Sequence, residues 1–287
     1  MSLVAIVTGA SRGAGKGIAT ALGSHGCTVY VTGRSQKAGD HTMAGTIYET
    51  AELVTQAGGK GIAVRCDHGN PDEVKALFEQ VKAEQGRLDI LVNNAAAVYD
   101  ELSYPGNFWE KPLKLGDMID VGVRSGYDAS WYAAPLLLDQ EKGLIIFTSS
   151  TGSVHYVFGP SYGAHKAGMD KMAFDMASDF NNAGANVAAV SIWMGAVLTD
   201  RLKDIIASDP EKFGPLEAGS ESPEFTGHLI WELYNDPKMM EKSGKTLIGA
   251  ELALEYGLKD AGGKQPPSYR DTHGVWPHDY FAAEIRS

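Results

Sequence analysis

The 287-residue sequence has only two cysteines, a shortage of basic residues and no long apolar run. Cys27 and Cys66 cannot form a disulfide framework, and each borders an apolar segment, so both are expected to be small buried side chains. With 36 acidic against 25 basic side chains, the formal net charge is −11. A phosphate backbone or an anionic membrane selects clustered Lys and Arg, so neither nucleic acid nor membrane is an expected partner.

The first residues also lack the marks of a targeting segment. Residues 1–13 have no charged lead and no small-residue cleavage site, and their apolar run is too short to cross a bilayer. No set of His, Cys and Asp residues has the spacing of metal ligands, so no metal is expected. A cytoplasmic protein is the prediction.

Short apolar segments rich in β-branched residues alternate with longer amphipathic segments. Predicted strands are residues 4–8, 28–32, 61–65, 88–92, 144–148 and 187–192, and predicted helices are 15–24, 48–56, 72–85, about 113–138 and 162–182. Strands that are apolar on both faces suit a parallel sheet between two helical layers. The alternation predicts one α/β domain over 1–287, a Rossmann fold whose doubly wound parallel sheet has about seven strands with helices on both faces.

Three segments depart from this alternation. Residues 35–46 are polar and contain glycine, which predicts a surface loop. Residues from about 200 to 243 carry prolines, glycines and charges and contain one or two predicted helices, such as 223–234. Their place after the sixth strand predicts a substrate lid, with a decorative loop as the alternative. The tail from about 260 to 287 is expected to have a surface or subunit-contact role.

The first predicted strand leads directly into a glycine-rich turn that opens the first predicted helix. Gly9 permits a tight turn with positive φ, while Gly13 and Gly15 let the backbone approach a ligand closely. The helix N-terminus then offers free N–H groups and a positive dipole end to a pyrophosphate. The turn predicts a dinucleotide site formed by Gly9, Ser11, Arg12, Gly13, Ala14 and Gly15.

The G-x-x-x-G-x-G spacing of this turn resembles the short-chain dehydrogenase/reductase family. Further family motifs follow in order, namely Asp67, Asn93-Asn94-Ala95, Thr148-Ser149-Ser150, Tyr162-x-x-x-Lys166 and Met194-Gly195-x-Val197-x-Thr199. The resemblance covers roughly residues 3–250. Phe108-Trp109-Glu110, residues 121–124 and Glu255-Tyr256-Gly257-Leu258 are similar to the dehydrogenase/reductase member 1 branch of that family.

The resemblance implies an oxidoreductase that interconverts a carbonyl and an alcohol. Tyr162 and Lys166 share one helix face, and a nearby ammonium favours the phenolate, so Tyr162 is the expected proton-transferring group and Lys166 its partner. Lys166 also binds the nicotinamide ribose in the family. A serine should donate to the substrate oxygen; Ser149 and Ser150 are both candidates, and the Ser-Ser-x-Gly pattern favours Ser150.

The expected cofactor is NADP(H), with NAD(H) as the alternative. NAD-binding relatives have an acidic residue at the end of the second strand, where this chain has Arg34. Arg34 can bind a 2′-phosphate through charge-assisted hydrogen bonds, and Arg12 is similar to a second basic residue of NADP-preferring members. Either arginine alone would also suit a solvated surface position.

The family assigns the remaining cofactor contacts. Asp67 accepts from the adenine amino group, with a cap on the turn at 68–70 as its alternative role. Asn93 and Ala95 line the adenosine ribose, and Asn94 is open to a different role, that of joining neighbouring strands. The segment that binds the carboxamide contains Gly195, Val197 and Thr199.

Two positions depart from the family pattern. Gly122 stands where many members have an asparagine whose backbone kink holds a water in a proton relay, and Met194 stands where a proline is common. A glycine could preserve an unusual backbone there, or the relay could be rerouted. His165, inside the Tyr-x-x-x-Lys motif, is expected to point away from the catalytic face.

Aromatic residues near the motifs suggest an apolar cyclic, aromatic or steroid-like ketone as the small-molecule substrate, although each residue could equally serve packing. They are Phe108, Trp109, Tyr156, Phe158 and Trp193. The family usually forms homodimers or homotetramers, which implies that the helix at 162–182 contacts a second copy. The rival functions are a non-catalytic NADP(H) sensor and an epimerase or dehydratase, although the latter have a larger C-terminal substrate domain.

Overall fold

The computed structural model describes residues 2–281, and a parallel sheet of seven strands forms the centre of that region. The strand order is β3-β2-β1-β4-β5-β6-β7, and every neighbouring pair is parallel. The strands are β1 (Val4–Val7), β2 (Thr28–Gly33), β3 (Lys60–Arg65), β4 (Ile90–Asn93), β5 (Gly143–Ser149), β6 (Val187–Trp193) and β7 (Thr246–Ile248). The predicted doubly wound α/β fold is confirmed.

Helices cover both faces of the sheet. The crossover helices are α1 (Gly13–Ser24), α2 (Ile47–Gln56), α3 (Pro71–Gln85), α4 (Ser125–Leu138) and α5 (Pro160–Asn182). After β6 come α6 (Asp200–Ser208), α7 (Pro210–Phe213), α8 (Pro215–Gly219), α9 (Phe225–Asn235) and α10 (Met239–Lys242), and after β7 come α11 (Gly249–Tyr256) and α12 (Tyr269–His273). The predicted start of α3 is confirmed, because Asn70 Oδ1 accepts a hydrogen bond from Asp72 N at 3.1 Å.

Each face of the sheet has its own apolar core. On one face Leu22 of α1 and Leu233 of α9 pack with Val7. On the other face Phe78 of α3 and Met169 of α5 pack with the neighbouring residue Ile6, whose side chain points the opposite way. Burying a side chain of this size contributes about 1.5–3 kcal/mol, so the two cores hold the strand ends in fixed positions.

The strand order reverses between β1 and β4. The chain runs from β1 outward through β2 to β3, then returns to β4 and continues to β7 on the other side. In such a sheet a crevice opens at the carboxyl ends of the two strands on either side of the reversal. The glycine turn after β1 and the Asn94 segment after β4 both lie at this crevice.

The predicted helix over about 113–138 is helical throughout, but its first turns are not α-helical. It begins with a 3₁₀ turn at Leu113–Gly116, continues through a π-helical turn at Ile119–Arg124 and ends as α4. Gly122 lies inside the π-helical turn, so the unusual backbone considered for that position is present. A π-helical turn inserts an extra residue into the ladder, a feature that frequently occurs at functional sites.

The tail folds back onto the segment predicted to be a lid. Asp260 accepts hydrogen bonds from the backbone N–H of Ser222 at 2.7 Å and from its hydroxyl at 2.5 Å. Lys264 Nζ donates to the carbonyl oxygens of Glu217, at 3.2 Å, and Ser220, at 2.5 Å. The tail therefore holds residues 217–222 of that segment in place, and the last part of its predicted range, 282–287, lies outside the described residues.

Candidate active site

The glycine turn has the backbone that its sequence predicts. Gly9 and Gly13 adopt φ of 64° and 59°, in the left-handed region that favours glycine. A methyl group added at Gly9 would lie 2.8 Å from Ala95 Cα, so a side chain there would displace the segment after β4. The turn can close tightly because the main chain of Ala95 lies directly against Gly9.

Thr8 and Asn94 fix this turn to the end of β4. Thr8 Oγ1 accepts hydrogen bonds from the backbone N–H groups of Asn94 and Ala95, both at 2.9 Å. Asn94 Nδ2 donates to the carbonyl oxygens of Thr8, at 2.9 Å, and Gly9, at 3.1 Å. The expectation that Asn94 joins neighbouring strands is confirmed.

A cavity of about 560 Å³ opens above the turn, at the N-terminus of α1. The predicted cofactor residues that line it are Gly9, Ser11, Arg12, Gly13, Ala14, Gly15, Arg34, Asp67, Ala95 and Thr199. Positive-φ glycines, free helix N–H groups and basic side chains around one cavity fit a dinucleotide, since the pyrophosphate is an anion. Asn93 instead donates from Nδ2 to Ser130 Oγ at 3.0 Å, so its expected role at the ribose does not extend to its side chain.

Arg12 holds the loop after β2 in place. Its Nε donates to the carbonyl oxygen of Ala44 at 3.0 Å, and its Nη2 donates to Ser35 Oγ at 2.8 Å and to the carbonyl oxygen of Gly45 at 2.9 Å. Burial, together with the positive charges of Arg34 and Arg201, lowers the pKa of Arg12. Three guanidinium groups, those of Arg12, Arg34 and Arg201 of α6, therefore lie close together at this side of the cavity, and Arg201 is a contributor that sequence reasoning missed.

Asp67 has the capping contact considered as its alternative role. Its Oδ1 accepts from the backbone N–H of Gly69 at 3.0 Å. Its other oxygen lies 4.0 Å from Arg34 Nη1, a weak and partly exposed pairing. Both side chains remain at the cavity wall, where an adenine ring and its ribose would lie in a bound dinucleotide.

The predicted catalytic residues meet at the carboxyl end of β5. Ser150 Oγ lies 2.8 Å from the hydroxyl oxygen of Tyr162. Lys166 lies one helical turn beyond Tyr162, with Nζ 5.6 Å from the centre of the phenol ring and donating to the carbonyl oxygen of Thr148 at 3.1 Å. Ser149 is fully buried and donates to the carbonyl oxygen of Lys166 at 3.2 Å. Of the two candidate serines, Ser150 is thus the one in contact with Tyr162.

Burial controls the ionisation of these groups. It raises the pKa of Tyr162, and the hydrogen bond from Ser150 opposes that rise. Burial lowers the pKa of Lys166 to about 8, with the nearby carboxylate of Asp170 acting in the opposite direction. The lowering of the Tyr162 pKa expected from Lys166 is not seen, because the ammonium is directed at the carbonyl of Thr148 and not at the phenol oxygen.

Asp170 is a buried residue that sequence reasoning missed. It accepts hydrogen bonds from Ser191 Oγ at 2.6 Å and from Trp193 Nε1 at 2.9 Å, and it thereby ties α5 to β6. The expectation that Trp193 lines the substrate pocket is wrong, because its ring is fully buried and its polar atom is used by Asp170. A signal was present in the sequence, since Tyr162, Lys166 and Asp170 follow one another at intervals of four on one helix face.

Glu221 supports the segment assigned to the carboxamide. Its backbone pairs with that segment, donating to Ala196 O at 2.7 Å and accepting from Leu198 N at 2.8 Å. A methyl group at Gly195 would lie 2.7 Å from Glu221 Oε1, so the glycine makes room for the carboxyl group. Glu221 is 1% exposed, and burial raises its pKa to about 8. Gly195 and Val197 do not line the cavity but are held beside it by this neutral side chain.

Aromatic residues form a second, smaller pocket next to Tyr162. Phe108, Tyr156 and Phe158 line an apolar space of about 180 Å³ together with Leu113 and Leu115. Trp109 packs edge-on against Phe108, with ring centres 5.1 Å apart. Phe158 has a positive φ of 59° and meets the ring of Tyr162 edge-on at 5.3 Å. A strained bulky residue beside a reactive side chain is typical of a functional position.

In the part of the chain that the structure describes, no helix has both the length and the apolar character needed to cross a membrane.

Comparisons with known proteins agree with this geometry. The family model for short chain dehydrogenase matches residues 3–209. Dehydrogenase/reductase SDR family member 1 of Mus musculus is 41% identical over 277 residues, covering 93% of this chain and 85% of the relative. The 3-oxoacyl-[acyl-carrier-protein] reductase of a Synechocystis strain is 32% identical, covering 85% of this chain and 93% of the relative.

Solved structures show the same fold. A putative dehydrogenase from Xanthomonas campestris superposes with a TM-score of 0.77 at 26% identity, over 92% of this chain and 94% of the other. Residues 3–209, which the family model matches, contain both the glycine turn and the Ser-Tyr-Lys residues. The chain belongs to the short-chain dehydrogenase/reductase family of nicotinamide-dependent oxidoreductases, in the branch of dehydrogenase/reductase SDR family member 1.

Proposed function

We propose that this protein is an NADP(H)-dependent oxidoreductase that interconverts a carbonyl and an alcohol on an apolar substrate, with Ser150, Tyr162 and Lys166 as its catalytic residues. The observation that carries the proposal is the 2.8 Å contact between Ser150 Oγ and the Tyr162 hydroxyl, one helical turn from Lys166. The bound nicotinamide would supply or accept the hydride. The protein's own task is then to hold the substrate oxygen and to move one proton.

Tyr162 performs the proton transfer in this proposal. During reduction its hydroxyl donates a proton to the substrate oxygen, and during oxidation the phenolate takes that proton back. Ser150 donates a second hydrogen bond to the same oxygen, which stabilises charge that develops in the transition state. Lys166 has a pKa of about 8 and donates to the Thr148 carbonyl while Tyr162 keeps its proton; in this proposal the phenolate attracts the ammonium once the proton has left.

The choice of NADP(H) depends on the adenosine end of the cavity. Arg34 is partly exposed at the cavity wall, while the positive charges of Arg12 and Arg201 lie close by. A 2′-phosphate placed among these guanidinium groups gains charge-assisted hydrogen bonds, whereas a free ribose hydroxyl gains little. The remaining residues proposed to hold the cofactor are those of the glycine turn, Asp67, Asn93 through its backbone, Ala95, Gly195, Val197 and Thr199, with Tyr162 and Lys166 at the nicotinamide ribose.

The apolar pocket favours a cyclic, aromatic or steroid-like ketone. Phe108, Tyr156 and Phe158 offer ring faces and almost no charge, so a flat hydrocarbon skeleton would be desolvated there at low cost. A non-catalytic NADP(H) sensor is less well supported, since such a protein has no need of a serine hydroxyl against a tyrosine hydroxyl.

Assembly as a homodimer or homotetramer is part of the proposal, as is a cytoplasmic location. Tyr127, Trp131 and Leu138 of α4 are exposed and follow one another along one side of that helix. Met169 of α5 is buried in the core, so α5 offers less apolar surface to a second copy than its sequence suggested.

The proposal is tested by following NADPH and NADH oxidation with a panel of cyclic, aromatic and steroid ketones. We expect turnover with NADPH that falls at least about 100-fold in Tyr162→Phe while the NADPH Kd stays within twofold. We expect Arg34→Glu to lower the NADPH/NADH preference, and an unchanged preference would contradict the choice of cofactor. Tight NADPH binding with no turnover on any ketone would favour the sensor.

A further inference from the structure

The apolar pocket of about 180 Å³ beside Tyr162 has one charged residue in its lining, as far as the structure describes the chain, and that residue is Lys111. The side chain is partly buried, and its Nζ donates to the carbonyl oxygen of Leu102 at 2.9 Å. Leu102 packs in a buried cluster with Leu115, a lining residue of the pocket, and Tyr162 lies against the same cluster. The ammonium is therefore held against the cluster that the catalytic tyrosine also contacts.

No carboxylate neutralises this ammonium. Within residues 2–281, Lys111 takes part in no ion pair. The four acidic residues of the segment from 99 to 117 each have another partner, namely Asp100 with Arg201 at 2.9 Å, Glu101 with Lys114 at 2.6 Å, Glu110 with the backbone N–H of Asn107 at 2.7 Å and Asp117 with the Tyr99 hydroxyl at 2.6 Å. The facing wall of the pocket, residues 156–161, has no charged side chain. The pocket therefore has an uncompensated positive charge.

An uncompensated charge at an apolar wall favours an anionic ligand. An ammonium has three N–H donors, and the Leu102 carbonyl uses one of them, so the others can bind a ligand. Phe108 and Phe158 keep the local dielectric below that of water, which strengthens the attraction between the ammonium and an anion. Hydrogen bonds between ionised groups are roughly twice as strong as those between neutral groups. A negative group of a substrate is thus stabilised here, although the protein as a whole has a net charge of −11.

The size and lining of the pocket limit what can carry that negative group. Sites for whole drug-sized ligands have about 300–1,000 Å³, so a pocket of about 180 Å³ suits one ring of a substrate. Phe108 and Tyr156 offer faces to an aromatic or alicyclic ring. The single ammonium matches the single charge of a carboxylate, whereas a phosphate is usually bound by several donors, often those of arginine.

We propose that Lys111 binds a carboxylate of the substrate, so that the enzyme acts on aromatic or alicyclic keto acids and on the corresponding hydroxy acids. The inference rests on the proposed function and narrows its substrate class. The ketone carbon accepts the hydride of NADPH and the ketone oxygen accepts the proton of Tyr162, so the products are NADP⁺ and the hydroxy acid. The carboxylate takes no part in these bond changes. Lys111 fixes the far end of the substrate and thereby its orientation at Ser150 and Tyr162.

The test uses 3- and 4-acetylbenzoate, each paired with its methyl ester, which has the same ring and ketone but no charge. Reduction by NADPH gives kcat/KM for both members of a pair, and titration into the protein loaded with NADP⁺ gives their Kd without turnover. We expect the parent to prefer the acid, and Lys111→Gln to lower the acid-to-ester preference about tenfold in both measurements, with the kinetic change chiefly in KM. The glutamine amide can still donate to the Leu102 carbonyl, so the variant removes the charge and keeps that contact.

Two matched variants serve as controls. Lys111→Arg keeps the positive charge and should retain most of the preference for the acid. Lys114→Gln removes a lysine that pairs with Glu101 and does not line the pocket, and it should leave the preference unchanged. An equal acid-to-ester preference in Lys111→Gln and the parent would overturn the inference, and turnover of the esters that depends on Tyr162 would then leave the proposed function intact. Acid binding that depends on Lys111 without turnover of any ketone would support the carboxylate site and contradict the proposed function.

A measurement on the parent protein alone covers the case in which Lys111→Gln does not fold. The net charge of −11 repels an acid at long range, and salt weakens that repulsion. If Lys111 binds the carboxylate, raising the salt concentration from about 0.02 to about 0.5 M should raise the Kd of the acid relative to that of its ester. A relative Kd that falls or stays constant would overturn the inference.

Discussion

Arg201 and Asp100 form an ion pair, with 2.9 Å between Nη1 and Oδ1, that joins α6 to the segment after β4. Arg201 also donates from Nη2 to the carbonyl oxygen of Val98 at 3.4 Å. Both Arg201 and Val98 line the cofactor cavity, so the two contacts lie at its edge. We expect these contacts to slow the passage of a dinucleotide past this edge.

We therefore expect Arg201→Ala to speed the release of NADPH. A partly exposed ion pair contributes about 0.2–1 kcal/mol, which corresponds to a dissociation rate up to about fivefold higher. Stopped-flow fluorescence of bound NADPH measures this rate directly. Lys203→Ala is the matched control, because Lys203 pairs with Asp200 on the same helix and does not line the cavity. Equal release rates in the two variants would contradict this role of the Arg201–Asp100 ion pair.

The two adjacent serines should respond differently to alanine. Ser150→Ala removes the hydroxyl that contacts Tyr162, so we expect kcat to fall about 100–1,000-fold with little change in the melting temperature. Ser149→Ala removes a buried hydroxyl that caps a carbonyl of α5, so we expect a loss of about 1 kcal/mol in stability and a much smaller loss of kcat. The measurements are steady-state kinetics and urea unfolding, and a larger loss of kcat in Ser149→Ala would reverse the assignment.

Glu221 should make stability depend on pH. Its pKa is about 8 in the folded protein against 4.5 as an ordinary side chain, so ionisation opposes folding. The loss of folding stability due to this group is absent below pH 4.5, grows between pH 4.5 and 8, and is complete above pH 8. Glu221→Gln removes it, and we expect the variant to gain stability over the parent, on the order of 1–4 kcal/mol, as pH rises through this window. Thermal unfolding of both proteins from pH 5 to 9 tests this, and a constant difference would contradict it.

The contact between Gly122 and His165 should be visible as thermodynamic coupling. Gly122→Ala places a methyl group against the imidazole, and we expect a loss of about 1–3 kcal/mol in the free energy of unfolding. In a His165→Ala background the same methyl group meets open space, so its cost should largely disappear. A double-mutant cycle by urea unfolding measures the coupling. Additive losses would show that the two positions do not touch in solution.

Much of the fold could be predicted because its signals are local. Six strands are continuous apolar segments rich in β-branched residues, and each was placed to within about two residues of its observed bounds. The seventh strand, Thr246–Ile248, is too short to produce such a pattern and was not located. The helix over 113–138 was located, but the 3₁₀ and π-helical turns at its start were not, because apolar periodicity indicates a helix without specifying its hydrogen-bond register.

In the candidate site, too, the residues that belong to local motifs were predicted, and those placed by distant contacts were not. The glycine turn and the Tyr-x-x-x-Lys spacing are motifs within one turn or one helix, so sequence alone located them. Trp193 was assigned to the pocket because its neighbours in sequence are motif residues, whereas its indole N–H binds Asp170, 23 residues away. Glu221 and Arg201 lie between β6 and β7, where no periodicity indicates which side chains turn inward. Contacts across long sequence separations set these positions, and local patterns do not contain them.

The packing of Gly122 in the π-helical turn against His165 of α5 limits how this active site can have evolved. A lineage with a side chain at position 122 cannot acquire an imidazole at 165 without steric overlap, and one that loses the imidazole first is left with a void beside Gly122. Exchange between the two arrangements therefore requires paired substitution. The identities at positions 122 and 165 together would reveal which arrangement a given relative has inherited.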